Sequence, residues 1–363
     1  MQEYKDYINE ICNNIHTGLI DFDEPRSKAT APTQASSEFI TNKQQGDWAE
    51  DVLFRAINEN SENIVAVRYG KSDDLVAGED GFKDFFDRYQ KELDAIGKRP
   101  DLLLFKKEDF NADLGLDISM KNSDEISDYV SRAIAGIEVR SSSYLINKYT
   151  EETNQVLQDN IQRVLSLRDL LLSEYRDLLE QKRPELIPTL RQFDAVSVRT
   201  LSFTTPSWHS SVRLQEMSAR LSEIKHYLKE IQKRNTLSMT PKVEDLKVVH
   251  KWIMTYNVPH FYVQVFFDKI YGMSFKYIME LVSNPDLEGV KYFVEKDSKN
   301  QQKKTIKISP FEGICLAHAV TEPTHRSVRK ELRRGNLLFY VAFDGGEAFL
   351  DKENFETLFE CSL

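Results

Sequence analysis

Asp101 and the triplet Glu138-Val139-Arg140 put acids at or inside two otherwise apolar, β-prone stretches. Asp101 opens Asp101-Leu102-Leu103-Leu104-Phe105 after Arg99-Pro100, and the triplet sits within Gly136-Ile137-Glu138-Val139-Arg140-Ser141-Ser142. A carboxylate in such surroundings is costly unless something compensates it, and a divalent cation is a common solution. Period two places Glu138 and Arg140 on one strand face and Ile137 and Val139 on the other. Asp101 and Glu138 on neighbouring strands would then hold one Mg²⁺, with Arg140 pointing at the same water or phosphate. That arrangement suits phosphodiester hydrolysis, which needs an activated water, neutralised phosphoryl oxygens and a stabilised leaving oxyanion. A metal-dependent nuclease is the first expectation.

Each of these residues also has a plainer reading. An acid after proline suits a solvated turn, and Glu138 with Arg140 suits a same-face charge pair on a half-exposed strand. Glu50, near a helix start, is favoured by the helix dipole without any chemistry. Ser141 and Ser142 would contact phosphate, or simply end a strand. The basic stretch at residues 325–334 offers His325, Arg326, Arg329, Lys330, Arg333 and Arg334 for phosphate or base contacts, or forms a solvated face.

The elements that must position these groups follow from periodicity. Residues 3–22 read as an amphipathic helix, and residues 24–37 as an extended connector rich in Pro, Ala, Ser and Thr. A helix starting near Gly46 carries Ala49, Val52, Leu53, Ala56 and Ile57 as its apolar stripe, with Glu50 beside it. Residues 64–69, 101–106 and 134–140 read as strands, with a polar helix at 82–96 between the first two. Leu157, Ile161, Val164, Leu171, Tyr175 and Leu178 form one heptad-like seam, broken by Arg168. Leu214, Met217, Leu221, Ile224, Leu228 and Ile231 form another. Two such seams predict a helical hairpin inserted into an α/β fold. After Thr240 come a helix, a buried strand at 261–267, another helix, and strands near 291–295, 304–308 and 337–343.

The expected organisation is an N-terminal helix and connector (1–45), a first part of the core with the acids (46–150), a helical insertion (151–238), and a second part of the core with C-terminal recognition elements (239–363). Of the 363 residues, 40% are apolar and 29% charged, as in a soluble globular protein. No apolar run approaches the roughly 20 residues that cross a bilayer. The N-terminal residues carry no secretory pattern, and Cys12, Cys315 and Cys361 have no zinc spacing. These features predict reduced thiols, a cytoplasmic location and no membrane partner. The net charge of −10 excludes a uniformly basic surface but leaves room for a local basic cleft.

The order of a helix acid, Pro-Asp on one strand and Glu-x-basic on the next resembles the PD-(D/E)xK nucleases. Glu50 in Gly46-Asp47-Trp48-Ala49-Glu50 matches the acid of that family's first core helix, Pro100-Asp101 the second element and Glu138-Val139-Arg140 the third. Residues 28–37, 46–50, 138–142 and 258–268 are similar to the AccI-type branch of the type II restriction endonucleases. The resemblance implies a restriction-endonuclease-like α/β core with a central mixed sheet of about five strands flanked by helices, plus the insertion and extra C-terminal strands. It further implies Mg²⁺, with Mn²⁺ as a substitute, and double-stranded DNA cut at a short near-palindromic site by a homodimer. Asp101 and Glu138 would bind the metal, Arg140 would stabilise the phosphate, and Glu50 would assist through the metal's water shell.

One departure matters. The family usually has lysine where this chain has Arg140, and arginine does not shed its proton. Water activation would then fall to the metal, unless Lys148 or Lys242 brought an amine into the site. Two other functions fit the same residues: a structure-specific repair or recombination nuclease, and a non-catalytic DNA-binding protein on a nuclease scaffold.

Overall fold

The computed structural model describes residues 3–27, 29–70, 75–233, 236–296, 303–332 and 335–360. Two compact units share the chain: Met1–Ile146 with Leu237–Leu363, and Asn147–Thr236.

The first unit is α/β. Its described strands are β1 (Ile64–Arg68), β2 (Leu102–Lys106), β3 (Ala135–Ser141), β4 (His260–Val265), β5 (Ile270–Ser274), β6 (Tyr292–Lys296), β7 (Lys304–Ile308), β8 (Ile314–Val320), β9 (Thr324–Glu331), β10 (Leu337–Asp344) and β11 (Ala348–Leu350). Seven form a mixed sheet in the order β1-β2-β3-β4-β5-β8-β11, while β6 pairs with β7 and β9 with β10. Only β3 and β4 are parallel among these seven, with Glu138 beside Tyr262 and Arg140 beside Gln264. A parallel pair needs a long crossover, and residues 142–259 supply it.

Alternation along the strands divides two cores between the faces. Leu102, Leu104, Ile137 and Val139 pack with Ala49, Val52 and Leu53 of the helix Ser37–Asn60. Leu103 and Phe105 turn the other way, into a cluster with Trp252, Val249 and Ile253 of the helix Val243–Tyr256. Burying apolar area on both faces holds the sheet centre rigid. Glycine makes the approach of Asp101 feasible. A β-carbon on Gly136 would stand 2.7 Å from Pro100 Cγ and 3.0 Å from Trp252. Gly97, at φ +84°, lets the chain cross the Val243–Tyr256 helix where a β-carbon would meet Val248 O at 2.2 Å.

The second unit has its own core. Helices Ile146–Glu174 and Val212–Gln232 contribute Ile161, Val164 and Leu171 against Met217, Leu221, Ile224 and Leu228. Arg168 interrupts the first seam because its guanidinium pairs with Asp169 and donates to Phe193 O.

Several sequence expectations change. The sheet has seven strands rather than five, and β5, β8 and β11 are additional to the expected strands: β5 is a short run, and Ala-His-Ala in Ile314–Val320 has weak β preference, so these strands exist through their neighbours. The first helix is shorter than expected, Tyr4–Asn13. The second begins earlier, at Ser37, where Ser36 Oγ accepts from Phe39 N at 3.1 Å. Residues 325–331 of the basic stretch lie in strand β9. No helix among the described residues is long and apolar enough to cross a membrane. Cys12 and Cys315 are free thiols, and Cys361 lies outside the described residues.

Candidate active site

Asp101 stands just before β2, beside β3. Its Oδ2 accepts from Val139 N at 2.7 Å, and its carbonyl accepts from Tyr69 N at 2.9 Å and Gly70 N at 3.1 Å. These three bonds fix the carboxylate next to Glu138. Burial and the negative Glu138 push the Asp101 carboxyl up to about 7, although Lys98, the Val139 N–H and Arg140 pull the other way.

Glu138 is 1% exposed. Its Oε1 receives Lys98 Nζ and, at 2.9 Å, Arg140 Nη2. Burial works against its charge, but Lys98 and Arg140 outweigh burial and hold it below the ordinary carboxylate range. Its Oε2 is buried with no hydrogen-bond partner among the described residues. Arg140 Nη2 also reaches Asp245 Oδ2 at 3.0 Å, from the first turn of the Val243–Tyr256 helix. Burial favours loss of the Lys98 proton, yet Glu138 prevails and its pKa rises. Both cations therefore stay charged.

Glu50 projects from the other side. Burial, then Asp101, Asp47 and Glu138, push it up to about 9. The structure thus brings Asp101, Glu138, Arg140 and Glu50 into one electrostatic neighbourhood. Below them, His260 and Tyr262 sit on the Glu138 face of β4, fully buried. Burial drives His260 down to about 3 and Tyr262 well up, so both are neutral.

The remaining candidates lie elsewhere. Ser141 ends β3, and Ser142 donates its N–H to Val265 O at 2.9 Å. His325, Arg326, Arg329 and Lys330 lie on the exposed β9, whereas Arg333 and Arg334 lie outside the described residues. Lys330 pairs with Glu79 at 3.0 Å. The β9–β10 pair is fastened to the helix that carries Glu50: Thr41 Oγ1 accepts from Val341 N at 3.1 Å, and Gly345 O accepts from Trp48 Nε1 at 2.9 Å. Lys148 belongs to the other unit and pairs with Glu152 at 3.8 Å. A cavity of about 1010 Å³ between residues 29–34 and Phe82, Leu332 and Asn336 holds none of the four catalytic candidates.

Sequence reasoning missed Lys98 and Asp245. Neither carries a sequence signal: Lys98 comes to Glu138 where Gly97 lets the chain cross the Val243–Tyr256 helix, and Asp245 lies on that distant helix.

Among the described residues no three His, Cys, Asp or Glu side chains gather as a ready-made metal cluster. Mg²⁺ does not require one, because it is commonly held by one or two carboxylates plus waters and substrate phosphate oxygens. The unpartnered Glu138 Oε2, and the burial and neighbouring negative charge that raise Asp101 and Glu50, are what a divalent cation would relieve. The residues present fit the ion.

A mixed α/β sheet presenting interacting carboxylates beneath a lysine and an arginine is the class of protein suited to chemistry on phosphate esters. A family model described as AccI restriction endonuclease matches residues 1–362, and the chain belongs to that family. It is accordingly a type II restriction endonuclease, a nuclease that acts on DNA. No curated protein and no solved structure matched the chain.

Proposed function

We propose that this chain hydrolyses both strands of duplex DNA at a short near-palindromic site in a Mg²⁺-dependent reaction, with Mn²⁺ as a substitute. The observation that carries this reading is the buried Glu138, with one oxygen under two cations and the other unpartnered, beside an Asp101 whose charge it opposes.

Asp101 and Glu138 would hold the ion, which when bound supplies charge neutralisation and an acidified water. Arg140, its side chain 41% exposed and braced by Asp245, would stabilise charge on the scissile phosphate. Lys98 keeps Glu138 ionised and adds a second positive charge where phosphoryl oxygens gain negative charge. Neither cation takes the water's proton, since both are held protonated. Glu50 keeps a proton at neutral pH without a cation and loses it when one lowers the local potential.

Arg140 is the ground for the inactive-scaffold reading. Lys98 weakens that ground, because it supplies an amine that the third motif lacks. Ser141, Ser142 and the β9 residues His325, Arg326, Arg329 and Lys330 are assigned DNA contacts, with Arg333 and Arg334 as the sequence continuation. A two-stranded ribbon of this kind fits a major groove. A twofold-symmetric site calls for a homodimer.

The test is incubation of the purified protein with plasmid DNA and Mg²⁺, followed by sequencing of fragment ends. Discrete bands with one shared end sequence support the reading. A smear, or cleavage confined to flaps and junctions, replaces it with the structure-specific nuclease. Binding without cleavage in either metal leaves the non-catalytic alternative.

A further inference from the structure

A second feature of the first unit adjoins the acids. Beside Lys98 and Arg140 opens a cleft of about 480 Å³, lined further by Arg26, Tyr89, Leu93, Lys242, Asp245, Val248, Lys303, Lys304 and Thr305 among others. Its basic residues are Arg26, Lys98, Arg140, Lys242, Lys303 and Lys304; its acids are Glu244 and Asp245, and Asp245 is already tied to Arg140. Such a concentration of positive charge stands out in a chain of net charge −10. Arg26 is paired with Asp94, and Lys98 and Arg140 with Glu138, while the exposed Lys242 and Lys303 add positive charge at the rim that a polyanion would neutralise.

The backbone builds this convergence. Lys242 forms an isolated antiparallel bridge with Thr305, and Ile306 N donates to Pro241 O at 3.0 Å. That pairing brings Lys242 onto the same wall as Lys303 and Lys304 at the start of β7. Opposite them, Arg26 is held by Gln90 Oε1 at 2.6 Å and Asp94 Oδ1 at 3.0 Å. Lys242 and Lys303 are exposed, so both amines reach the cleft from solvent without disturbing a core.

We infer that this cleft binds the phosphodiester backbone of the cleaved strand next to the scissile phosphate, with Lys242 and Lys303 each neutralising one flanking phosphate. The inference rests on the nuclease reading, since it takes the acids at the cleft's inner end as the cutting point. These lysines contact phosphate rather than bases, so they add affinity without adding sequence preference.

The experiment measures binding of fluorescently labelled duplex DNA as a function of salt, without divalent metal, for the wild type, K242A/K303A and a charge-matched control, K106A/K107A. Lys106 and Lys107 are exposed at the opposite end of β2 from Asp101. The expected result is a slope of log affinity against log salt smaller by about four for K242A/K303A, two lysines being lost from each protomer of the homodimer, and unchanged for the control. An unchanged slope in K242A/K303A, or an equal fall in both double variants, overturns the inference while leaving the nuclease reading in place. A wild type that neither binds nor cuts duplex DNA overturns both.

Discussion

At the scale of single residues, the site is a problem in charge. Replacing Asp101 by Asn or Glu138 by Gln should lower the cleavage rate by about 10³-fold or more, measured as single-turnover cutting of plasmid DNA. Lys98→Met should lower kcat by about 10²-fold with little change in KM, because the amine is spent on developing charge rather than on docking. Arg140→Lys should keep more activity than Arg140→Ala. The acids also set a pH dependence. Folded-state values near 9 for Glu50 and 7 for Asp101 lie above their ordinary values, so the stability they contribute is full below those ordinary values. It is lost as pH rises through about 7 and then about 9. Glu138 has the opposite sign: its contribution is present above the ordinary carboxylate range and is lost as pH falls. Without metal, the melting temperature should therefore fall from weakly acidic to alkaline pH, and Glu50→Gln should flatten that fall. Mg²⁺ should raise the melting temperature most at the alkaline end, where all three carboxylates are ionised.

At the scale of elements, close approach is the controlling variable. Gly136→Ala puts a methyl group against the ring of Pro100 and should cost about 1–3 kcal/mol in urea unfolding. Because the same ring precedes Asp101, the substitution should also slow cleavage in the folded fraction. This level explains what sequence made legible. The strands bearing Asp101 and Glu138 were visible because their apolar neighbours alternate or run unbroken and because two acids interrupt them. Lys98 was not visible, because its role depends on Gly97 turning the chain across a helix that comes much later in sequence. Strand β9 was hidden for a different reason: its charges mask a pattern that its pairing with β10 completes, as Arg329 opposite Phe339 and His325 opposite Phe343 illustrate. β11 consists of only Ala348–Leu350, too short a run to carry any period.

At the scale of the whole molecule, two cores imply two separable stabilities. Leu221 is fully buried in the helical unit, and Leu221→Ala should cost that unit about 2–5 kcal/mol. Hydrogen exchange should then speed up across residues 147–236 while the amides of β2 and β3 keep their protection. The parallel pairing of β3 with β4 has a consequence for synthesis. The strand bearing Glu138 leaves the ribosome well before its parallel neighbour exists, because residues 142–259 must be translated first. Until then the acids have no His260–Tyr262 floor beneath them, Arg140 has no Asp245 to brace it, and the lysines of β7 have not been made. The site is therefore assembled only once the C-terminal third has been made.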